Sequence, residues 1–263
     1  MKLCFTTLGC CERTLDEIIS LAKKYGFDSI EIRGISGELD NAKINDLSCE
    51  NRKVTREKLQ NSGIIPVVID TSCRFHRPEE YDGAIAEGIN SIEIAKDMGI
   101  KYVRVFGDKF TLGVEECTNR IISGLTYLCE RAGDVDILLE IHGECNTIEA
   151  LTPIIDKMSE YNHFGLIWDI QHSHRSYGND WRVFYDFIRP YIKHIHIKDY
   201  SDTEENLCLI GEGSIPIDDI VYTLLKDGYD GYFSLEWEKK WHPELCEIEL
   251  ALDSFVRVMN VIK

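Results

Sequence analysis

The sequence predicts a single α/β domain over residues 1–263, an eight-stranded parallel (β/α)8 barrel. Three observations predict it. Short β-rich runs alternate with longer amphipathic runs along the whole chain, eight of each. Eight parallel strands are the number that closes a barrel. No GxGxxG turn marks the open dinucleotide-binding sheet that is the main alternative.

The expected strands are Lys2–Leu8, Ser29–Arg33, Ile64–Asp70, Tyr102–Gly107, Asp136–His142, Phe164–Ile170, Ile192–Asp199 and Gly231–Glu238, each rich in Val, Ile, Phe or Tyr. The expected helices are Thr14–Tyr25, Glu50–Ser62, Tyr81–Met98, Val114–Arg131, Thr147–Ser159, Trp181–Ile188, Ile217–Asp227 and Pro243–Ile262. Thr14 followed by Glu17 has the spacing of a capping box. Gly26, Gly63, Gly99 and Gly228 stand where helices should stop.

Composition narrows the function classes. Apolar residues make up 44% and charged residues 29% of the chain, as in a folded soluble domain. The formal charge of −17 opposes nucleic acid and anionic lipid. No apolar run reaches membrane-spanning length, and the apolar stretch in MKLCFTTLGCCER is too short for a signal peptide. The 10 cysteines are scattered, without a CxxC pair, which fits reduced thiols in the cytoplasm rather than a disulfide framework. The adjacent Cys10-Cys11 pair is a minor candidate for reactivity.

Barrel active sites are built at the C-terminal ends of the strands. Alternate strand residues share a face, so inward residues can be read by parity. Strand five places Leu138, Glu140 and His142 on one side. Strand six ends in Asp169, with His172 in the following loop. Strand seven turns His194, His196 and Lys198 the same way, and strand eight Ser234, Glu236 and Glu238. One strand-end Glu alone reads as an exposed loop carboxylate, and one strand His as a hydrogen-bonded core residue. Four consecutive strands with ionisable groups inward at one height make poor sense as packed core, because buried carboxylates need partners. A divalent cation answers that need. Two Glu, one Asp and one His from these strands make an O3N donor set that suits Mn²⁺, Mg²⁺ or Co²⁺, and admits Zn²⁺. Strand two adds Glu31 and Arg33, and strand four adds Arg104. Each Arg reads either as a holder of substrate oxygens or as the partner of a nearby acid. Cys73 and His76, after strand three, are weaker candidates for substrate contact.

These passages resemble the xylose-isomerase-like TIM barrel superfamily, in particular its sugar phosphate isomerase/epimerase-type members. LLEIHGE, WDIQHSH, HIHIKDY, GEGSIPID and YDGYFSLEWEKKWHPEL carry the resemblance, which covers nearly the whole chain. It implies one Mn²⁺ held by Glu140, Asp169, His196 and Glu236. It also implies acid and base roles for Glu140 and Glu236, and contact of His172 with a substrate oxygen. The second His of His-x-His is the ligand by this likeness, which selects His196 over His194. The epimerases carry an Arg six residues after that His, where this chain has Asp202. The Lys198-Asp199 pair after His196 matches inosose dehydratases and other branches instead.

The expected chemistry is proton abstraction next to a carbonyl of a sugar-like small molecule, through a metal-stabilised enediolate. Lys198 and His172 are placed to steady the developing oxyanion. His142, Arg33, Arg104, Glu31 and Glu212 complete the expected substrate contacts. Returning the proton gives an isomer or epimer, and expelling a β-hydroxyl gives dehydration. The lyase, of inosose or 3-dehydroshikimate type, is therefore the first alternative. An endonuclease IV-like hydrolase would need further His ligands on strands two and three. A non-catalytic carbohydrate-binding barrel would need to lack a carboxylate at 140 or 236. The GEGSIPID loop is either a wall of the site near Glu212 or a capped turn at Pro216. Trp237, Lys240, Trp241 and His242 read as pocket wall or as a contact of a homo-oligomer.

Overall fold

A computed structural model of the chain describes residues 1–262. Seven parallel strands come first: β1 (Lys2–Phe5), β2 (Ser29–Ile32), β3 (Ile65–Asp70), β4 (Tyr102–Phe106), β5 (Asp136–Glu140), β6 (Phe164–Asp169) and β7 (Ile192–Ile197). A short antiparallel hairpin follows, β8 (Asp199–Ser201) with β9 (Asn206–Cys208), and then the eighth barrel strand, β10 (Tyr232–Leu235). Hydrogen bonds link the barrel strands in the order β1-β10-β7-β6-β5-β4-β3-β2. A parallel bridge between Thr6 and Glu31 joins β1 to β2 and completes the circle. The predicted (β/α)8 barrel is the observed one.

The helices are α1 (Leu15–Tyr25), α2 (Arg52–Ser62), α3 (Tyr81–Met98), α4 (Val114–Ala132), α5 (Ile148–Met158), α6 (Ile170–Tyr177), α7 (Trp181–Ile188), α8 (Ile217–Lys226) and α9 (Ile248–Met259). The capping box at Thr14 and Glu17 is present, and α1, α2 and α3 each stop at a left-handed glycine: Gly26, Gly63 and Gly99. No described helix is long and apolar enough to cross a membrane.

The structure corrects the sequence reading in four places. The first strand ends at Phe5, because Thr6 caps a 3-10 turn over Thr7–Cys10. His172 lies in the first turn of α6 and not in a loop, since Asp169 ends β6 and caps that helix at once. The hairpin β8–β9 has no counterpart in the predicted elements. The last helix starts at Ile248, after a run of turns over residues 239–247, and not at Pro243.

The core has two parts. Strand residues facing out meet the helices in a shell that includes Phe5, Ile30, Val103, Ile137, Trp168, Ile195 and Phe233. Inside the barrel, Val68, Tyr102, Leu138 and Ile167 plug the lower half. The inward layer above that plug is polar, and the site stands there on an apolar floor.

The cysteines are free, and burial raises several thiols, Cys10 and Cys208 to about 12. Burial also raises Cys11, so the Cys10-Cys11 pair is protonated and inert at neutral pH. Cys49 is the exposed cysteine. A thiol reagent at pH 8 should therefore label one site quickly in the native protein, identifiable by peptide mapping as Cys49. The remaining thiols should react only on unfolding. Fast labelling of Cys10 or Cys11 would contradict this.

Candidate metal centre and active site

Glu140 ends β5, Asp169 ends β6, His196 is the penultimate residue of β7, and Glu236 follows β10. One potential ligand atom from each falls within 4.8 Å of all the others. All four side chains are buried. Parallel register explains the convergence: Asp169 pairs with His196, and His196 with Ser234, so these strands deliver their ends at one level.

Each member is held in orientation by a partner outside the set. The Oδ1 of Asp169 accepts the backbone N–H groups of Gln171 (2.9 Å) and His172 (3.2 Å) at the start of α6. Its Oδ2 is left facing the cluster. His196 turns Nδ1 toward Glu140 and Glu236, at 3.2 Å from each carboxylate. Its Nε2 lies 2.9 Å from Glu31 Oε1. Glu31 Oε2 is taken by His194 Nε2 at 2.9 Å and accepts the Ser234 hydroxyl at 2.8 Å. Glu31, fully buried, thus anchors the histidines from behind. Such a carboxylate sets the ring orientation and tautomer of a metal-binding His. Glu31, His194 and His196 also form a compact trio of donor groups. Their hydrogen bonds to one another mark them as a support rather than a second centre.

Two cations balance the carboxylates. Arg104 Nε lies 3.1 Å from both Asp70 Oδ1 and Glu140 Oε2. Lys198 Nζ is 2.8 Å from Asp169 Oδ2, 2.6 Å from Glu236 Oε2 and 2.5 Å from Glu238 Oε1. The Asp169 Oδ2 and Glu236 Oε2 atoms nevertheless receive no well-aligned hydrogen bond. The distances show strong ion pairing, while the angles leave both oxygens with an unused lone pair aimed into the cluster.

The electrostatics follow from these contacts. Burial works against ionised Glu236, but Lys198 and His196 outweigh it and hold this carboxyl well below its ordinary range. Burial likewise opposes ionised Glu31, and His196 and His194 reverse that. Glu140 is lowered, Arg104 overcoming burial. Asp169 moves the other way, because burial exceeds the help from Lys198. Desolvation opposes the charge on Lys198, yet Asp169, Glu236 and Glu238 lift its pKa well above normal. His172 is driven well below its usual value by burial, then by His142 and Lys198, and is neutral at physiological pH.

Two cavities open beside the cluster. One, of about 330 Å³, is lined by Arg33, Arg104, Glu140, His142, Lys198 and Glu236, among others. The other, of about 690 Å³, contains His142, His172 and Glu212 in its walls. Of the residues singled out from sequence, the four ligand candidates, Lys198 and His142 come together. His172 lies beside them, its ring 3.9 Å from that of His142. Arg33 faces the smaller cavity without a carboxylate partner, donating to Leu39 O and Ser72 Oγ. Arg104 takes the acid-pairing reading. Glu31 does not reach either cavity. Cys73 donates its thiol to Ala84 O, and His76 packs against Phe110, so neither lines the site. Trp237 and His242 line the larger cavity and Trp241 the smaller, which fits the pocket-wall reading, while Lys240 pairs with Glu12.

Three residues of this region were given no role in the site from sequence. Asp70 ends the expected third strand with the inward parity of Val68, and reading that parity would have placed it in the site. Glu238 has the parity of Glu236, but its pairing with Lys198 depends on the fold. Asp199 carried no signal for its role. Its buried carboxylate accepts four backbone N–H groups, from Tyr200 (2.9 Å), Gly211 (2.8 Å), Gly213 (3.0 Å) and Ile215 (3.4 Å). A Cβ at residue 213 would sit 2.1 Å from Asp199 Oδ1, so glycine is required for this approach. Asp199→Ala orphans these donors and should cost about 2–4 kcal/mol. Thermal unfolding should show a fall on the order of 5–10 °C; a change under about 2 °C would deny Asp199 this role.

The sequence profile described as "Xylose isomerase-like TIM barrel" matches residues 19–257. The chain belongs to that family. Among its xylose isomerase-like relatives is an inosose isomerase from Halalkalibacterium halodurans, 27% identical over 99% of this chain and 97% of its own. The fold is also that of the IolI protein crystallised with a zinc atom, with a TM-score of 0.81, 24% identity and coverage of 100% and 99% of the two chains. The probable 3-DHS dehydratase AsbF from Bacillus anthracis superposes with a TM-score of 0.79 at 17% identity, each chain covered in full. An inosose isomerase is thus a relative in sequence, and a probable dehydratase shares the barrel fold.

Proposed function

We propose that the protein is a metal-dependent isomerase or epimerase of a sugar-like carbonyl compound, sugar or sugar phosphate. The observation that carries this reading is the cluster of Glu140, Asp169, His196 and Glu236 beside a polar cavity at the C-terminal mouth of the barrel. The donor chemistry fits a divalent ion: three carboxylates, one imidazole with its far nitrogen fixed by Glu31, and two buried oxygens with unused lone pairs. Mn²⁺ is the first choice for this oxygen-rich set. When bound, such an ion supplies Lewis acidity toward an adjacent carbonyl and hydroxyl oxygen.

The protein's own groups would do the rest. Glu140 and Glu236 both line the smaller cavity and both are held ionised, so either can take a proton from carbon and the other can return it. Lys198, held protonated, offers positive charge to an oxygen that becomes negative. Neutral His172, on the far side of His142, is suited to hydrogen-bond a substrate hydroxyl. Arg33 faces the same cavity as a donor. A dehydratase acting on an inosose or 3-dehydroshikimate type of substrate uses the same first step. It is favoured by the Lys198-Asp199 pair after His196 and by Asp202, six residues after His196, where the epimerases carry Arg. The partner in either case is a small molecule; an acidic chain of charge −17 is a poor ligand for nucleic acid.

The test is solvent exchange. The protein with Mn²⁺ in D₂O is given a panel of ketoses, aldoses, inososes and their phosphates, and each is followed by NMR. Deuterium entering beside a carbonyl, abolished by a chelator, supports the reading, and the product separates isomer, epimer and dehydrated ketone. Absence of exchange across the panel counts against it.

A further inference from the structure

The two cavities differ in chemistry. The smaller joins Leu8, Phe106 and Trp241 to a set of charged groups, Arg33, Lys198, Glu140 and Glu236, that a polyol can hydrogen-bond. The larger, about 690 Å³ against about 330 Å³, has an apolar wall of Leu207, Leu209, Leu245 and Trp237. The cavities meet at His142 and Glu238, which line both. A sugar hydroxyl set against that wall loses its water without a replacement partner, whereas an apolar group gains by leaving water there.

The wall is a built feature. One side of it, Leu207 and the adjoining Leu209, is set by the inserted hairpin β8–β9, which belongs to no barrel sheet, and the other, Trp237 and Leu245, by the segment between β10 and α9. The Asp199 carboxylate ties the loop after β9 to the start of β8 by accepting from Gly211, Gly213 and Ile215, and Ser214 N donates to Tyr200 O at 2.7 Å. The Arg175 guanidinium lies over the Tyr200 ring at 5.3 Å. Across the cavity, Trp237 Nε1 donates to Cys246 O at 2.9 Å, which fixes the indole. Half-buried Leu207 takes no part in the main core, so the core does not explain an apolar residue there. At the rim, Glu205, Glu212 and Glu244 repel an anion.

We infer that the natural substrate carries an uncharged, apolar substituent of about the size of a ring, seated against Leu207, Leu245 and Trp237 while its polyol part lies at the cluster of Glu140 and Glu236. This rests on the proposed function for the position of the polyol part. The wall and its preference for an apolar group stand on the larger cavity alone.

Methyl and phenyl β-D-glucopyranoside, compared by ligand-observed NMR with the Mn²⁺-loaded protein, test this without turnover. The phenyl compound should bind at least about tenfold more tightly, a difference of about 1.4 kcal/mol. Mn²⁺ should broaden the sugar protons more than the aryl protons. Leu207→Asp should remove the preference for phenyl, and Leu245→Asn should reduce it, with circular dichroism reporting that each variant folds. Equal affinities, failure of both compounds to bind, a preference that survives in both variants, or aryl protons broadened more than sugar protons would each overturn the inference. Solvent exchange on unsubstituted ketoses reads the proposed function separately. Exchange without a phenyl preference would sink the substituent alone, and a phenyl preference without exchange anywhere would sink the proposed function alone.

Discussion

Glu236→Gln should leave the fold intact and lower kcat/KM by at least about 10³-fold, roughly 4 kcal/mol of transition-state stabilisation. The amide nearly preserves shape but loses the charge that pairs with Lys198 and His196, at 2.6 and 3.2 Å. It cannot accept a proton from carbon, and it is a poor ligand for a hard cation. Two readouts separate these roles. Isothermal titration with Mn²⁺ should show affinity weakened at least about tenfold. Deuterium incorporation at saturating Mn²⁺ should remain strongly depressed, because the proton-transfer group is still missing. A variant that kept both metal affinity and exchange would remove Glu236 from the site and with it the four-residue centre.

Lys198→Met should produce the largest loss of stability in the metal-free protein. Lys198 is buried and faces Asp169, Glu236 and Glu238. Removing one partner of a buried ion pair costs about 3–5 kcal/mol, since the remaining charges stay desolvated and repel one another. For a chain of this size that is a fall in Tm on the order of 10 °C. The pH dependence has a definite sign. Lys198 has a raised pKa in the folded state, so its stabilisation is present throughout the acid and neutral range and is lost only as pH rises above the ordinary lysine value. Glu236 has a lowered pKa, so its contribution is present at neutral pH and is lost as pH falls through the acidic range. In the variant the orphaned carboxylates regain protons more easily. The deficit against the parent protein should therefore be greatest near neutral pH and shrink toward about pH 4. Added Mn²⁺ should raise the Tm of the variant by more than that of the parent, by restoring positive charge among the carboxylates. An unchanged Tm, or a deficit that grows in acid, would contradict this account. Catalysis should stay low even with metal restored, because the ammonium facing the smaller cavity is gone.

Much of this site was legible in sequence. The alternation Leu138, Glu140 and His194, His196, Lys198 reads directly as inward-facing parity, and the strand ends follow from where β-rich runs stop. What misled the reading were places where one residue does two jobs. Asp169 ends a strand and caps a helix in the same step, so His172 falls on α6 rather than in a loop. Lys198-Asp199 reads as a short motif, whereas the two roles differ: Lys198 faces the cluster, and Asp199 ties down the loop that follows the hairpin.

The choice of His196 over His194 came from a family likeness; by itself the sequence determined the eight-fold βα order and the apolar and polar faces of each strand. Those features rest on local periodicity and chain order, which any short window displays. The tertiary structure alone decided that Arg104 is bound to Asp70 and Glu140 rather than free for substrate. It alone decided that Glu31 stands behind His196 instead of in the pocket, and that His196 presents Nδ1 to the cluster. These contacts join residues as far apart as Glu31 and His196, separated by 165 positions. They exist only once the barrel closes and sets the height and angle at which distant strands face one another.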